Sequence, residues 1–408
     1  MEGGKGSPFS FYCEKSNEKH MTPQRRQSWF VLIMFMVAHA VNDGFGWIIP
    51  PLLPAIREYF NLSYTEMGAF YTLYRFTGSV FQAPVSYLVY LAPISLILAG
   101  GLLWSSIGMC LASISSSYGM LLGVSAISGL GRSTYHPLAV TILSRLFGRE
   151  SFGRVLALHL SASGVGMVIA PFLVGLLLTR FNWRLPLQVW SILGIMTGLS
   201  LLSFLRSQRQ DLQPKTKALR WPFFSHSVGI YLLAASIWGV SQSGLMAFIP
   251  LFLVDHRRFS TQAAAATYGI MAFSGTVCRP FLGTLMDRMG SRKPVIVGGF
   301  IVASISILGM ATIDNLLMLY PIIVLLGVFG SGHGGLADTL LIEMIPSQRR
   351  EETLGFYYTM RMGIASLSPV MVGWASERIS LPNCFLGLAL VAGLSALLLS
   401  MIKERPIE

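Results

Sequence analysis

Long apolar stretches recur along almost the whole chain, separated by short turns that are polar or contain Gly and Pro. Each stretch is long enough to cross the roughly 30 Å hydrocarbon core of a bilayer, which takes a helix of about 20 residues. Only 12% of the 408 residues are charged, against about a quarter in soluble proteins. The sequence therefore predicts a polytopic membrane protein and excludes a soluble enzyme or a nucleic-acid-binding protein.

Twelve apolar stretches predict twelve transmembrane helices, which brings both chain ends to one face of the membrane. The tails and loops of that face hold 20 Lys and Arg residues, and the loops of the other face hold six. Basic residues collect on the cytoplasmic side of membrane proteins. We expect a cell-membrane protein with both termini in the cytoplasm, and the net charge of +12 then reflects topology and implies no nucleic-acid partner.

A charged connection near the middle of the chain divides the spans into two sets of six. Residues 42–50 align with 242–250, and residues 121–124 align with 325–328, in the same order and at a similar offset. This pattern indicates an internal duplication, which is typical of transporters whose site lies between the repeats. The predicted organisation is an amino-terminal tail (1–27), a six-helix bundle (28–205), a linker (206–225), a second six-helix bundle (226–402) and a carboxy-terminal tail (403–408).

The sequence contains no motif for catalysis or for metal binding. H-E-x-x-H and C-x-x-C do not occur, and no phosphate-binding glycine loop lies outside a span. The four cysteines are too scattered for a metal cluster or a disulfide framework. We therefore expect no enzyme activity, no metal and no cofactor.

Residues 283–293 read Gly-Thr-Leu-Met-Asp-Arg-Met-Gly-Ser-Arg-Lys. This segment resembles the loop signature of the major facilitator superfamily, G-x-L-x-D-R-x-G-R-[KR]-[KR], with Ser291 as the departure. The resemblance implies an all-α integral membrane fold, with twelve transmembrane helices in two pseudo-symmetric six-helix bundles. It also implies a conformational latch, in which Asp287 is expected to face the start of the fifth helix near Glu150 and Ser151. The latch residues are Gly283, Asp287, Arg288, Gly290 and Arg292.

One further departure and two further likenesses qualify this resemblance. The equivalent loop of the first half, 84–93, has neither the acid nor the base of the signature. Residues 39–54 and 129–137 resemble the fosmidomycin-resistance-type branch of exporters more specifically. Residues 166–175 are similar to an antiporter pattern of the superfamily, G-x-x-x-G-P-x-x-G-G, but close packing of small residues explains them equally well.

Ionisable residues inside spans are candidates for function, because each costs about 2.5–3.5 kcal/mol at mid-membrane on insertion scales. His39 and Asp43 lie four residues apart in the first helix, and Arg132 and His136 do so in the fourth. These two helices line the cavity in the superfamily that the chain resembles, so we expect an Asp43–Arg132 pair flanked by the histidines. A purely structural ion pair is the alternative. The predicted proton-coupling residues are Asp43, His39, His136 and Asp338.

Arginines in the second and eleventh helices are candidates for holding an anionic solute. A guanidinium donates a planar fork to a carboxylate or a phosphonate. A contact to a carbonyl or to an acid of the other half, as part of a gate, is the alternative for both. The predicted substrate-binding residues are Arg132, Arg75, Arg361, Asn42 and Tyr135.

The resemblance and the charges within spans together predict a proton-coupled secondary active transporter of a small organic solute or drug, with an anion as one candidate. It would work by alternating access, with export by antiport as the leading interpretation. Uptake of a small organic anion such as a carboxylate, together with protons, is the first alternative. A transport-inactive membrane sensor or scaffold is an alternative of another class. The expected partners are the small-molecule substrate, protons and the lipid bilayer, and the chain is expected to work as a monomer.

Overall fold

The computed structural model describes residues 23–88, 91–147, 149–206, 221–332 and 334–402, and within them all regular structure is helical. The twelve predicted spans are present. The six spans of the first half are Pro23–Phe60, Tyr64–Val80 with Gln82–Leu88, Ile94–Ser113, Tyr118–Arg132 with Tyr135–Leu146, Arg149–Leu177, and Arg184–Arg206. Those of the second half are His226–Asp255, Thr261–Met289, Lys293–Thr312, Leu316–Leu326 with the π-helix Gly327–Gly332 and Gly334–Met344, Arg350–Ile379, and Leu381–Ser400. Most of the predicted tails and linker lies outside the described residues.

Eight of these spans are long and apolar enough to cross a membrane by length and composition alone. The other four are the second, fourth, eighth and eleventh spans. They are also the spans that contain Arg75, Arg132, Arg279 and Arg361. A charged side chain within a span needs a protein or water environment, so these four arginines mark the surfaces that face the protein interior.

The fourth span is interrupted between its two helices. Pro137 has no N–H, and its ring crowds the carbonyl of Ser133 four residues earlier, which removes a helical hydrogen bond at this point and favours the break. Ser133 and Thr134 instead donate their N–H groups to carbonyls three residues earlier, at 3.3 Å each. The interruption separates Arg132 from His136 by one irregular turn in the middle of the span.

Polar side chains mark the starts of spans. Ser63 forms a capping box with Glu66, because each side chain accepts the backbone N–H of the other residue. Four further spans begin with a side chain that accepts an N–H of the first turn, which fixes where the helix starts. These residues are Ser117, Ser225, Ser260 and Asn315.

The two halves meet mainly along three pairs of spans: the second with the eleventh, the fifth with the eighth, and the first with the seventh; the first also contacts the eighth. Glycines bring the second and eleventh spans into backbone contact. A Cβ atom on Gly68 would overlap the carbonyl oxygen of Pro369, and one on Gly373 would overlap that of Tyr64. Only glycine permits this approach.

We call the face where the first span begins and the twelfth ends the terminal face, and the other the opposite face. Hydrogen bonds join the halves at the opposite face. Arg57 Nη1 and the Tyr64 hydroxyl both donate to Asp255 Oδ2 at 2.6 Å. The backbone N–H of Thr65 donates to Glu377 at 2.8 Å. The described conformation is therefore closed at the opposite face.

Candidate functional site

Asp43 lies in the middle of the first span and is 6% exposed. Its Oδ2 lies 3.3 Å from Nε2 of His39, one turn earlier on the same helix. Its Oδ1 lies 3.1 Å from Nε2 of His136 and 3.7 Å from Nη2 of Arg132, both in the fourth span. We call these four residues the Asp43 cluster. The structure brings together all four residues that sequence spacing placed near one another.

Two neutral side chains complete the surroundings of the Asp43 carboxylate. Ser163 of the fifth span donates its hydroxyl to Oδ2 at 2.5 Å. Asn42 donates its amide to Oδ1 at 3.1 Å. The carboxylate thus has hydrogen-bonding groups from three spans, as a buried charge requires.

His39 is held in one orientation by the fifth span. Its Nδ1 donates to the carbonyl oxygen of His159 at 2.8 Å. The two imidazole rings stack with their centroids 4.3 Å apart, and both are buried. A carbonyl oxygen only accepts hydrogen bonds, so Nδ1 carries a proton and Nε2 is the atom that faces Asp43.

The members of the Asp43 cluster differ in exposure. The side chain of His136 is 34% exposed and that of Arg132 is 17% exposed, whereas Asp43 and His39 are at 8% and 2%. His136 is therefore the most exposed ionisable group in direct contact with the buried carboxylate.

His39, Asp43 and His136 also offer atoms that bind transition metals, all within 4.8 Å of one another. Arg132, however, lies 3.7 Å from the same carboxylate. Its permanent positive charge opposes a metal cation at this position. The arrangement favours a proton site over a metal site.

A second buried carboxylate lies in the second half. Asp338 accepts hydrogen bonds from three phenol groups: Tyr357 at 2.6 Å, Tyr358 at 3.0 Å and Tyr231 at 3.2 Å. The guanidinium of Arg361 lies over the rings of Tyr357 and Tyr358, 5.2 and 5.8 Å from their centroids. Asp338 is thus satisfied by phenols, and Arg361 forms no ion pair with an acid of the described residues.

Arg75 of the second span also forms no ion pair within the described part of the chain. Its Nη1 lies 3.2 Å from the hydroxyl of Tyr71, which itself donates to the carbonyl of Gly46. Its buried Nε has no hydrogen-bond partner. Nearby, Trp47 of the first half packs against Tyr268 of the second, with ring centroids 5.3 Å apart. Arg75 is a cation without a counter-ion beside an aromatic contact between the halves.

Tyr135, a predicted substrate-binding residue, is fully buried. Its hydroxyl donates to the carbonyl of Phe35 at 2.5 Å. In this conformation Tyr135 joins the fourth span to the first. Asn42, predicted for the same role, is buried and bonded to Asp43.

The signature segment braces the second half at the terminal face. Arg292 donates to Glu343 at 2.5 Å and to Thr339 at 3.3 Å, which ties the loop after the eighth span to the tenth. Gly290 has a φ of 62° and ends the eighth helix, as its place in the signature requires. Asp287 is exposed, and it forms no side-chain hydrogen bond with the described residues. The side chain of Glu150, its predicted neighbour, lies outside them, so the latch stays a prediction.

Sequence reasoning missed several partners of these groups. Ser163 and the His159 carbonyl contact the Asp43 cluster from the fifth span, and Tyr231 contacts Asp338 from the seventh. Serine and tyrosine are common in spans, so their residue types alone give no signal. The rotation of each helix about its axis determines which residues of neighbouring helices are in contact.

The family model described as Major Facilitator Superfamily matches residues 35–369 and 277–408. The fosmidomycin resistance protein of Escherichia coli (strain K12) is 22% identical over 378 residues, covering 88% of this chain and 89% of that protein. Protein spinster homolog 1 of Xenopus laevis is 26% identical over 396 residues, covering 87% of this chain and 74% of that protein. The resemblance to the superfamily is confirmed.

Solved structures share the fold. A bacterial homolog of the human lysosomal transporter Spinster, in an inward-facing and occupied conformation, has a TM-score of 0.76 at 15% identity, covering 94% of this chain and 97% of that one. The nucleoside transporter NupG, solved as a point mutant, has a TM-score of 0.75 at 13% identity, covering 92% of this chain and 100% of that one. The predicted fold class is confirmed.

Proposed function

This chain belongs to the major facilitator superfamily, and we propose that this transporter of small organic solutes carries an organic anion and is driven by protons. The observation that carries the proposal is the Asp43 cluster, a buried carboxylate between two imidazoles and a guanidinium. Protonation of Asp43 removes the charge that holds Arg132 and both histidines in place. A single proton therefore changes the contacts between the first and fourth spans.

The charges of the spans support an anionic solute. Four spans contain an arginine, and both buried carboxylates, Asp43 and Asp338, already accept several hydrogen bonds. Arg75 has no carboxylate partner among the described residues, whereas Arg361 lines the same pocket as Asp338 without a direct ion pair. An uncompensated guanidinium inside a membrane protein is costly, and a bound anion lowers that cost.

The closed opposite face supports a mechanism of alternating access. If the terminal face is cytoplasmic, as its basic loops predict, the described conformation faces inward. The Arg57–Asp255 ion pair and the Gly68 contact must then separate when the transporter opens outward. Such rocking of two halves about a central site is the mode expected for this architecture.

The charge of Asp43 favours uptake together with protons over export by antiport. The negative charge of a solute bound beside the Asp43 cluster favours the protonated form of that carboxylate, which then releases Arg132. Proton and anion then bind together. The antiport interpretation requires that they compete, so the geometry supports the first alternative from the sequence.

Proteoliposomes with an internal pH-sensitive dye test the proposal. Organic anions are added outside in the absence of any other gradient, and the internal pH is followed. Co-transport predicts acidification of the lumen, and antiport predicts alkalinisation. Solute flux without proton movement contradicts proton coupling. No flux of any solute supports the sensor or scaffold alternative.

A further inference from the structure

The tenth span contains a π-helix, Gly327–Gly332, packed directly on the eighth span. A Cβ atom on Gly275 of the eighth span would overlap the carbonyl oxygen of Gly327 and lie 3.0 Å from the N atom of Gly332. This backbone contact fixes the π-helix against the eighth span. π-helices within α-helices frequently occur at functional sites, because the wider turn leaves carbonyl groups available to side chains.

Arg279 follows Gly275 by one turn and uses one of these carbonyls. Its Nη2 donates to the carbonyl oxygen of Ser331 at 3.2 Å. Its Nε is buried and has no hydrogen-bond partner, and no carboxylate of the described residues forms an ion pair with it. The guanidinium is held in place by the π-helix, yet its charge and one of its donors are unused.

Gln242 of the seventh span lies beside the same segment. A Cβ atom on Gly330 would lie 3.1 Å from Gln242 Oε1 and 3.5 Å from Nε2. Both of these amide atoms are buried without a hydrogen-bond partner. Because Gly330 and Ser331 are consecutive, the amide of Gln242 and the guanidinium of Arg279 contact neighbouring residues of the π-helix.

Buried polar atoms in native proteins almost always have a protein or water partner, and here three unpartnered ones lie beside consecutive residues of one π-helix, next to a guanidinium without a carboxylate. We propose that Gln242 and Arg279, held by the π-helix Gly327–Gly332, bind the acid group of the transported anion. Arg279 supplies the charge and a donor, and the Gln242 amide bonds a neighbouring oxygen of the same solute. The ligand class is a small organic carboxylate or phosphonate.

The subsite lies in the second half, where it faces the Asp43 cluster. Ser163, which donates to Asp43, precedes Gly164, and a Cβ atom on Gly164 would overlap Cγ2 of Thr276, one turn before Arg279. Residues 242–250 also align with 42–50 in the internal duplication, which sets Gln242 opposite Asn42. A solute between the two would contact both halves, as alternating access requires. The inference rests on the proposed anion transport and locates the anion's binding groups.

Binding to the purified full-length protein in detergent tests the subsite. The probes are benzoate and phenylphosphonate, with benzamide and benzylamine as neutral and cationic probes of similar size. Calorimetry measures binding of each probe, and the thermal unfolding temperature is recorded with and without it. Both measurements are made at one pH without a membrane. We expect the two anions to bind and raise the unfolding temperature, and we expect no effect of benzamide or benzylamine. Failure of both anions to bind overturns the subsite.

Three variants locate the binding groups. Arg279→Gln is expected to weaken anion binding at least tenfold. Gln242→Met, which keeps the length of the side chain and removes its polar atoms, is expected to weaken it severalfold. Arg257→Lys, at an arginine paired with Asp314 on the opposite face, is the matched control and should bind as the wild type does.

Equal anion binding by the wild type and by Arg279→Gln, with both unfolding at the same temperature, overturns the subsite. Gly330→Ala is a second test of the same site, which keeps the result interpretable if Arg279→Gln misfolds, because it changes no charge. Its added methyl group would lie 3.1 Å from Gln242 Oε1, so the amide must shift by a few tenths of an ångström and weaker anion binding is expected. Unchanged binding in both Gly330→Ala and Gln242→Met contradicts the role of Gln242. These measurements involve no proton gradient. A protein that binds anions but moves no protons would refute the proton coupling and leave the subsite standing.

Discussion

Arg57 and Asp255 form an ion pair across the two halves of the protein, with Nη1 and Oδ2 2.6 Å apart. Tyr64 donates to the same carboxylate oxygen, and the Arg57 guanidinium lies over its ring at 4.4 Å. One acid thus joins the ends of the first, second and seventh spans at the opposite face. These contacts must break for the opposite face to open.

Asp255→Asn is expected to favour opening of the opposite face. The variant removes the charge but keeps an acceptor. Both partners of the pair are partly exposed, so the loss is of the order of 0.5–1 kcal/mol, or about two- to fivefold in population. Distances between spin labels at positions 116 and 313 measure the opening. Glu58→Gln, at an exposed neighbour, is the control, and equal distance distributions for the two variants would remove Asp255 from the gate.

Gly68→Ala is expected to open the same face more strongly. The added methyl group overlaps the Pro369 carbonyl, which is backbone and cannot turn away. The second and eleventh spans must therefore separate at this point. The same pair of labels reports the separation. Gly100→Ala is the matched control, because no atom outside its own helix backbone lies within 4 Å of a Cβ at that glycine.

Asp43→Asn is expected to abolish solute accumulation driven by a pH gradient while solute binding is retained. Asparagine keeps the size of the side chain but fixes it in a neutral form. Transport driven by a pH gradient and equilibrium binding are measured on the same preparation. Asp314→Asn, at an exposed acid of the opposite face, should behave like the wild type. Undiminished accumulation by Asp43→Asn would remove Asp43 from the mechanism.

Helical periodicity is enough to place pairs of residues on one face. His39 with Asp43, and Arg132 with His136, follow from the four-residue spacing, and the structure brings the two pairs together. Eight of the twelve spans follow equally from apolar length and composition, because a bilayer requires both, and the four spans that carry an arginine do not. These are local properties of the sequence.

Contacts between distant spans cannot be found in this way. The sequence shows Arg57 only as one of the basic residues of one face, and its partner Asp255 lies 198 residues further along the chain. The position of the Gln242 amide beside Gly330 depends on the π-helix of the tenth span, which the sequence does not predict. Which residues of two helices meet depends on their relative rotation and depth, and apolar spans with little periodicity leave both undetermined.

Topology is tested by single cysteines in a background without the four native ones. The excess of basic residues predicts that Lys215→Cys and Glu404→Cys are cytoplasmic. Both positions lie outside the described residues. Neither should react with an impermeant thiol reagent added to intact cells. Asn182→Cys, exposed at the opposite face, should react and is the control. Labelling at 215 or 404 would contradict the predicted orientation.

Asp287 is expected to act on the conformation that is closed at the terminal face, because in the present one its side chain is exposed and unbonded within the described ranges. An acid at the unpaired N–H groups of a helix start stabilises it by about 0.3–1 kcal/mol. If Asp287 meets the start of the fifth span when the terminal face closes, Asp287→Asn destabilises that state. It should shift the population up to about fivefold toward closure at the opposite face.

Spin labels at positions 144 and 289, across the terminal face, measure the shift. Leu91→Ala, in the first-half loop that lacks the signature, is the matched control, and Tyr90→Phe is a second one outside the described residues. An unchanged distance distribution for Asp287→Asn would show that the signature is not a latch in this protein.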